Sequence, residues 1–367
     1  MLPYLRESYG NASSSHSLGR VARAAVEHAR EQLAELINAS PADIIFTSGG
    51  TEANNLALLG TLGKLTPGRL AISAIEHASL RGPAYALSQR GWQIDSIAVD
   101  RQGRVTLDAV RESLHAETRL ISVMRANNET GTVQDIPAIS QMARRAGVLM
   151  HTDAVQALGK MPVDFKASGA HMMSFSAHKI YGPKGVGALV VDQSIALEGQ
   201  ILGGGHEKGL RAGTQNVAAI VGFGAAAELA RKELSQRQIH WQELRTYLEE
   251  RLHELPGVII FAEQAERLPN TVLISVPEFA GETLVVNLDQ AGILLSSGSA
   301  CMSGSLAPSH VLQAMAVESP LLRNVLRISM GKDTMRAEID LLVKTLQAQL
   351  AQFAPWEKKP LSSLSNA

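Results

Sequence analysis

The chain has 367 residues, 45% of them hydrophobic and 19% charged, so it can bury a substantial core and divide into two lobes. Acids and bases are spread along the chain and sum to a formal net charge of −1, a balance that creates no field to gather nucleic acid or anionic lipid. The most apolar stretch, NVAAIVGFGAAAELA (216–230), is shorter than the roughly 20 residues of a membrane span, and no leader-like succession opens the chain. A cytoplasmic protein of small-molecule chemistry, with neither nucleic acid nor membrane as partner, is expected. The single cysteine, Cys301, excludes an intramolecular disulfide and a multi-thiolate metal site, so no metal is expected and the thiol is either inert filler or a reagent.

In chain order, VARAAVEHAREQLAELI carries Val21, Ala25, Ala29, Leu33 and Leu36 at helical spacing. DIIFTSGGTEANNLALLG then reads as strand, glycine turn and helix. Short apolar runs follow at 70–75, 119–124, 147–151, 172–176 and 186–191, separated by helix-length segments such as DIPAISQMARRA. This alternation predicts parallel strands with helical crossovers, hence a large, doubly wound, mostly parallel α/β domain over 11–235. From about residue 236 the pattern changes to a charged helix, strands GVIIF and TVLISV, and a last helix with Ile339, Leu342, Leu346 and Leu350 on one stripe. A smaller α+β domain, 1–10 with 236–355, is expected, and 356–367 reads as a disordered tail. No internal repeat or low-complexity tract is present.

Sites in such sheets lie beyond the carboxyl ends of strands, which singles out four clusters. Ser48-Gly49-Gly50-Thr51 opens a helix and offers N–H groups and a hydroxyl to a phosphate, or simply permits a tight turn. His77, after LAISAI and Glu76, suits stacking on a flat ligand or moving a proton, or plain structural hydrogen bonding. Asp153 ends a strand with Gln156 three residues on, as a crevice carboxylate or as a helix cap. Lys179 follows HMMSFS, between Ser176, His178 and GPKG, where burial near other cations favours a nucleophilic amine over a snorkelling surface lysine. Together these parts suit pyridoxal 5'-phosphate held by a lysine.

The motifs FTSGGTEANN (46–55), EHAS (76–79), ANNETGTVQDI (126–136), HTDAVQALGK (151–160), SFSAHKIYGPKGVGAL (174–189), GGGHEKGLRAGT (203–214) and SSGSACMSG (296–304) stand in an order and spacing that resembles one family. It is the cysteine desulfurases of the NifS and IscS type, fold-type-I pyridoxal-phosphate enzymes of the class V aminotransferase group, and the resemblance runs from Met1 to Phe353. It implies that Lys179 is the Schiff-base lysine, that Asp153 pairs with the pyridinium nitrogen, and that His77 stacks on the ring and carries protons. It further implies that Gly50, Thr51, Ser176 and His178 hold the phosphate, that Asn128 and Gln156 meet the ring substituents, and that Arg327, with Asn128, binds the substrate carboxylate. Thr214 reaches the phosphate of a neighbouring subunit, which implies a homodimer.

By the same resemblance the catalytic Cys301 takes sulfur from L-cysteine as a persulfide and passes it to an acceptor or iron–sulfur scaffold protein. Its Gly- and Ser-rich surroundings suit a mobile, exposed loop, and the stretch from Cys301 to Arg327 is similar to that of the longer-loop group. Family members begin with a strand and turn of the form YLDNxATT, ahead of the equivalent of MLPYL here; Ala12 and Met302 stand where proline and threonine are usual. Two other readings accompany the desulfurase: a related lyase or transaminase with Cys301 incidental, and a non-catalytic scaffold that lacks the amino-terminal strand.

Overall fold

The structure, a computed structural model, describes residues 1–276, 279–298 and 308–353. Cys301, Met302 and the expected tail lie outside the described residues. Seven strands form one sheet: β1 (Ile44–Thr47), β2 (Arg69–Ser73), β3 (Gln93–Ile97), β4 (Thr118–Ser122), β5 (Leu149–Asp153), β6 (Met172–Ser176) and β7 (Gly187–Val191), in the order β1-β7-β6-β5-β4-β2-β3. β2 to β6 run parallel, and β7 is antiparallel to both of its neighbours. The central strands, and β1 at one edge, are buried on both faces, so they read as continuous apolar runs. Edge strand β3 is half polar, and its sequence QIDSI carries no such run.

Side chains alternate between the two faces of the sheet. Ile44, Phe46, Met173 and Phe175 meet one helical layer with Phe223, while Ile45, Met172 and Leu189 meet the other with Leu58 and Leu80. The first long helix, Ser17–Ile37, buries Ala22, Val26, Ala29, Leu33 and Ile37. Ala29 and Leu33 are buried as expected, while the other three positions move by one residue: Val21 is 48% exposed, and Ala25 and Leu36 sit at the margin of the buried stripe. Several small alanines on adjacent rows leave the exact face to packing rather than to pattern.

The helix Val217–His253, about 55 Å long, runs unbroken through residue 235 and serves both layers. Its first half packs on the Ser17–Ile37 helix so closely that a Cβ at Gly224 would lie 2.6 Å from the Cα of Ala29. Its second half presents Trp241, Leu244, Leu248 and Leu252 to an antiparallel sheet of β8 (Ile259–Ile260), β9 (Thr271–Ser275), β10 (Ser296–Ser297) and β11 (Val325–Ser329), ordered β10-β11-β9-β8. Ile339, Leu342 and Leu346 of the helix Arg336–Phe353 complete this second core. No helix among the described residues is long and apolar enough to cross a membrane.

Two buried carboxyls pin segments near the ends of the large sheet. Glu207 accepts from Arg30 Nη1 (2.8 Å), Arg30 Nη2 (3.0 Å) and the N–H of Phe46 (2.9 Å), and also from Gln215. That ties the 203–214 segment down although Glu207 and Lys208 both have positive φ. Glu207→Ala leaves buried Arg30 with only Glu27 and the carbonyl of Ile44 as partners and is expected to cost about 1–3 kcal/mol in urea denaturation. Glu76, just past β2, is fully buried; its Oε1 accepts from Ser73 Oγ (2.6 Å) and Met124 N–H (2.7 Å), and its Oε2 finds no partner among the described residues. Burial, with the charge of Asp153 nearby, pushes this carboxyl up to about 8 from 4.5.

The folded chain therefore keeps a proton on Glu76 that the unfolded chain releases, and the resulting stability is present at low pH and is lost as pH rises toward 8. Denaturation midpoints measured from about pH 5 to about pH 9 are expected to fall more steeply for the native chain than for Glu76→Gln, by on the order of a few kcal/mol at the alkaline end.

Candidate active site

β1 leads into the helix Gly50–Leu62 through Gly49, whose φ of 158° favours glycine. A Cβ on Gly50 would come within 2.7 Å of Val155 Cγ2, so glycine alone lets the helix start approach the end of β5. The first-turn N–H groups have no intrahelical acceptors and carry the positive end of the helix dipole. Thr51 stands exposed beside them, and Ser176, the last residue of β6, has its Oγ 2.8 Å from Nδ1 of His178. Hydroxyls, an imidazole and a helix start around one point form a setting for a phosphate.

β5 ends in Asp153, only 5% exposed. Its Oδ1 accepts from the N–H of Val155 (2.9 Å) and its Oδ2 from Nδ2 of Asn54 (2.7 Å). Burial pushes this carboxyl up, opposed by those two bonds and by His77 and Lys179. Three residues on, Gln156 accepts from Nζ of Lys160 at 2.7 Å. The Lys160 amine is pushed down to about 7, by burial first and then by Lys179 and Arg327. His77 caps the helix Ala78–Ser88, its Nδ1 accepting from the N–H of Ser79.

Lys179 sits half-buried in the short 3-10 turn Ala177–Ile180 that follows β6. From the other sheet, Arg327 of β11 donates from Nη1 to the carbonyl of Asn128 (2.9 Å) and from Nη2 to Ser296 Oγ (3.3 Å), and its Nε has no partner among the described residues. Beside it, buried Glu129 accepts from Ser309 Oγ at 2.6 Å; burial pushes its carboxyl up to about 7, against the pull of Ser309, Arg327 and His77.

These groups surround one cavity of about 250 Å³. Gly50, Thr51, His77, Asn128, Asp153, Gln156, Ser176, His178, Lys179 and Arg327 all line it, drawn from segments up to 277 residues apart in sequence. Thr214 does not: it is exposed on the segment after Glu207. Cys301 lies outside the described residues. A larger groove of about 910 Å³, bordered by Gln238, Tyr247 and Arg267, holds none of these residues. Sequence reasoning missed Asn54, Ser79, Glu129 and Lys160. Lys160 stands four residues after Gln156 and Asn54 three after Thr51, helical spacings that offered a signal, though the partner each side chain meets is set by tertiary structure.

Residues 1–342 match the aminotransferase class-V family. The chain is 42% identical to "Cysteine desulfurase IscS 1" of Archaeoglobus fulgidus, over 94% of this chain and 91% of that one. Among solved structures it is similar to a "NifS-like protein" (TM-score 0.90, 35% identity, 96% of this chain and 94% of that one) and to "SspA in complex with cysteine" (TM-score 0.79, 32% identity, 91% and 94%). With the sheet order, the cavity and these likenesses in agreement, the chain belongs to the aminotransferase class-V family and, within it, to the cysteine desulfurases of the NifS and IscS type.

Proposed function

We propose that this chain holds pyridoxal 5'-phosphate in the cavity of Lys179 and Asp153 and uses it to take sulfur from L-cysteine, leaving L-alanine. The observation that carries the reading is the meeting, in one small cavity, of a lysine amine, a buried carboxylate and an arginine whose Nε has no partner among the described residues. The donor set fits the group: the Gly50–Leu62 helix start with Thr51, Ser176 and His178 for the phosphate, Asp153 for the ring nitrogen, His77 for a ring face, and Gln156 with Asn128 for the ring substituents. When bound, the group draws electron density away from the substrate α-carbon.

The residues have distinct work. Arg327 holds the substrate carboxylate with a planar two-donor fork, fixing the α-carbon over the site. Lys179 would hold the cofactor through its amine, and with the substrate in place the same amine would take up the α-proton. Cys301, as thiolate, attacks the substrate sulfur; the bond from that sulfur to the β-carbon breaks, its electron pair stays with carbon, and a persulfide forms on Cys301. The persulfide sulfur passes to an acceptor such as an iron–sulfur scaffold protein. The same reading includes a cytoplasmic homodimer in which Thr214 reaches the neighbouring phosphate, and a division into a cofactor-binding domain, 11–235, and a smaller one, 1–10 with 236–355.

Cofactor-loaded protein mixed with L-cysteine and dithiothreitol is expected to release sulfide and alanine in equal amounts; neither product from the loaded protein overturns the reading. Cys301→Ser is expected to lose sulfide release while keeping the absorbance of bound cofactor, and full activity of that variant on another amino acid points to a lyase or transaminase instead. Arg327→Lys is expected to raise KM for L-cysteine about ten-fold, the equivalent of one lost charged hydrogen bond.

A further inference from the structure

His77 Nδ1 has two neighbours on one residue: the backbone N–H of Ser79 at 3.1 Å and the Ser79 hydroxyl at 2.8 Å. A backbone N–H only donates, so the nitrogen it meets is bare. The direction of the hydroxyl follows from a second pair of contacts. Asn54 is fully buried, and its Nδ2 lies 2.7 Å from Oδ2 of Asp153 and 2.9 Å from Oγ of Ser79. The carboxylate claims one amide hydrogen and the Ser79 oxygen accepts the other, which turns the Ser79 hydrogen toward the imidazole.

We infer that Ser79 is a positioning residue that fixes neutral His77 with its proton on Nε2, with Asn54 holding the Ser79 hydroxyl in that orientation from the Asp153 side. The consequence is chemical. A neutral imidazole fixed this way presents an N–H donor at Nε2 and has no lone pair there to take a proton. Removal of the α-proton is thereby left to Lys179, and His77 serves the bound molecule by stacking and by hydrogen-bond donation. The same chain of contacts joins the group proposed for the ring face to the group proposed for the ring nitrogen, so both are set by one network rather than independently. This inference deepens the reading of the cavity as a pyridoxal-phosphate site and rests on it.

The test is the imidazole nitrogen spectrum of cofactor-loaded protein labelled with ring-¹⁵N histidine, at about pH 8, where an ordinary imidazole is neutral. The His77 signals are assigned by their loss in His77→Asn. Nδ1 is expected at the frequency of a bare nitrogen and Nε2 at that of a protonated one; the reverse pattern, or averaging between the two forms, overturns the inference. In Ser79→Ala the tautomer is expected to persist through the backbone N–H, with Nδ1 shifted further toward the bare-nitrogen side by the loss of one donor. An unchanged Nδ1 signal there removes the hydroxyl from the account. Asn54→Leu is expected to shift Nδ1 in the same direction, and no shift removes Asn54; Ser79→Ala, a deletion of one oxygen, keeps the question answerable if Asn54→Leu does not fold. The spectrum is read without turnover, so protein inert toward L-cysteine but showing the Nε2–H pattern refutes the activity and not the tautomer, and active protein with the reverse pattern does the opposite.

Discussion

A carboxylate buried at the end of a central strand is costly unless hydrogen bonds and opposite charge hold it, and Asp153 organises its surroundings accordingly. Two of its acceptor positions are filled from within the chain, by Asn54 and by the N–H of Val155. An ionised carboxylate has room for about four donors, so the group can still take a donor from a bound ring. Around it stand Lys179, Lys160, His178 and Arg327; burial first, and then the neighbouring cations, lower the proton affinity of Lys160 and His178. Positive groups gathered at one negative centre give a place where an anionic phosphate and an amino acid carboxylate are both favoured, and where an amine is kept nucleophilic.

Rigid elements hold that arrangement. β5 and β6 supply Asp153 and Ser176 from their carboxyl ends, the Gly50–Leu62 helix supplies its start, and the smaller sheet supplies Arg327 through β11, whose neighbour β9 lies in the core of that layer. Because Arg327 bonds the carbonyl of Asn128, the two layers meet at the cavity itself. The Arg30–Glu207 pair fixes the segment leading to Thr214 against β1, the strand that runs into the Gly50–Leu62 helix. Site geometry therefore depends on the packing of both cores, with the Val217–His253 helix common to them.

Much of this was legible in the residues. Apolar runs marked six strands of the large sheet because those strands are covered on both faces, and polar residues directly after the runs marked the cavity because parallel sheets open at their carboxyl ends. β3 was not legible, since an edge strand needs no apolar run, and neither was the reversed direction of β7, which depends on pairing rather than on pattern. The Ser17–Ile37 stripe was legible at Ala29 and Leu33 and off by one residue at its other three positions, where small alanines do not mark the buried face. Asn54, Ser79 and Lys160 escaped notice for a different reason: each is an ordinary polar residue in a helix or turn until folding aims it at Asp153, His77 or Gln156.

The central claim is that the amine of Lys179, in the same cavity as Asp153, is where the cofactor is held. Borohydride reduction of the cofactor-loaded protein, followed by proteolysis and mass spectrometry, reads this directly. A phosphopyridoxyl group on the peptide containing Lys179 is the expected result; the same group on Lys160 or another lysine, or on no peptide at all, contradicts the account.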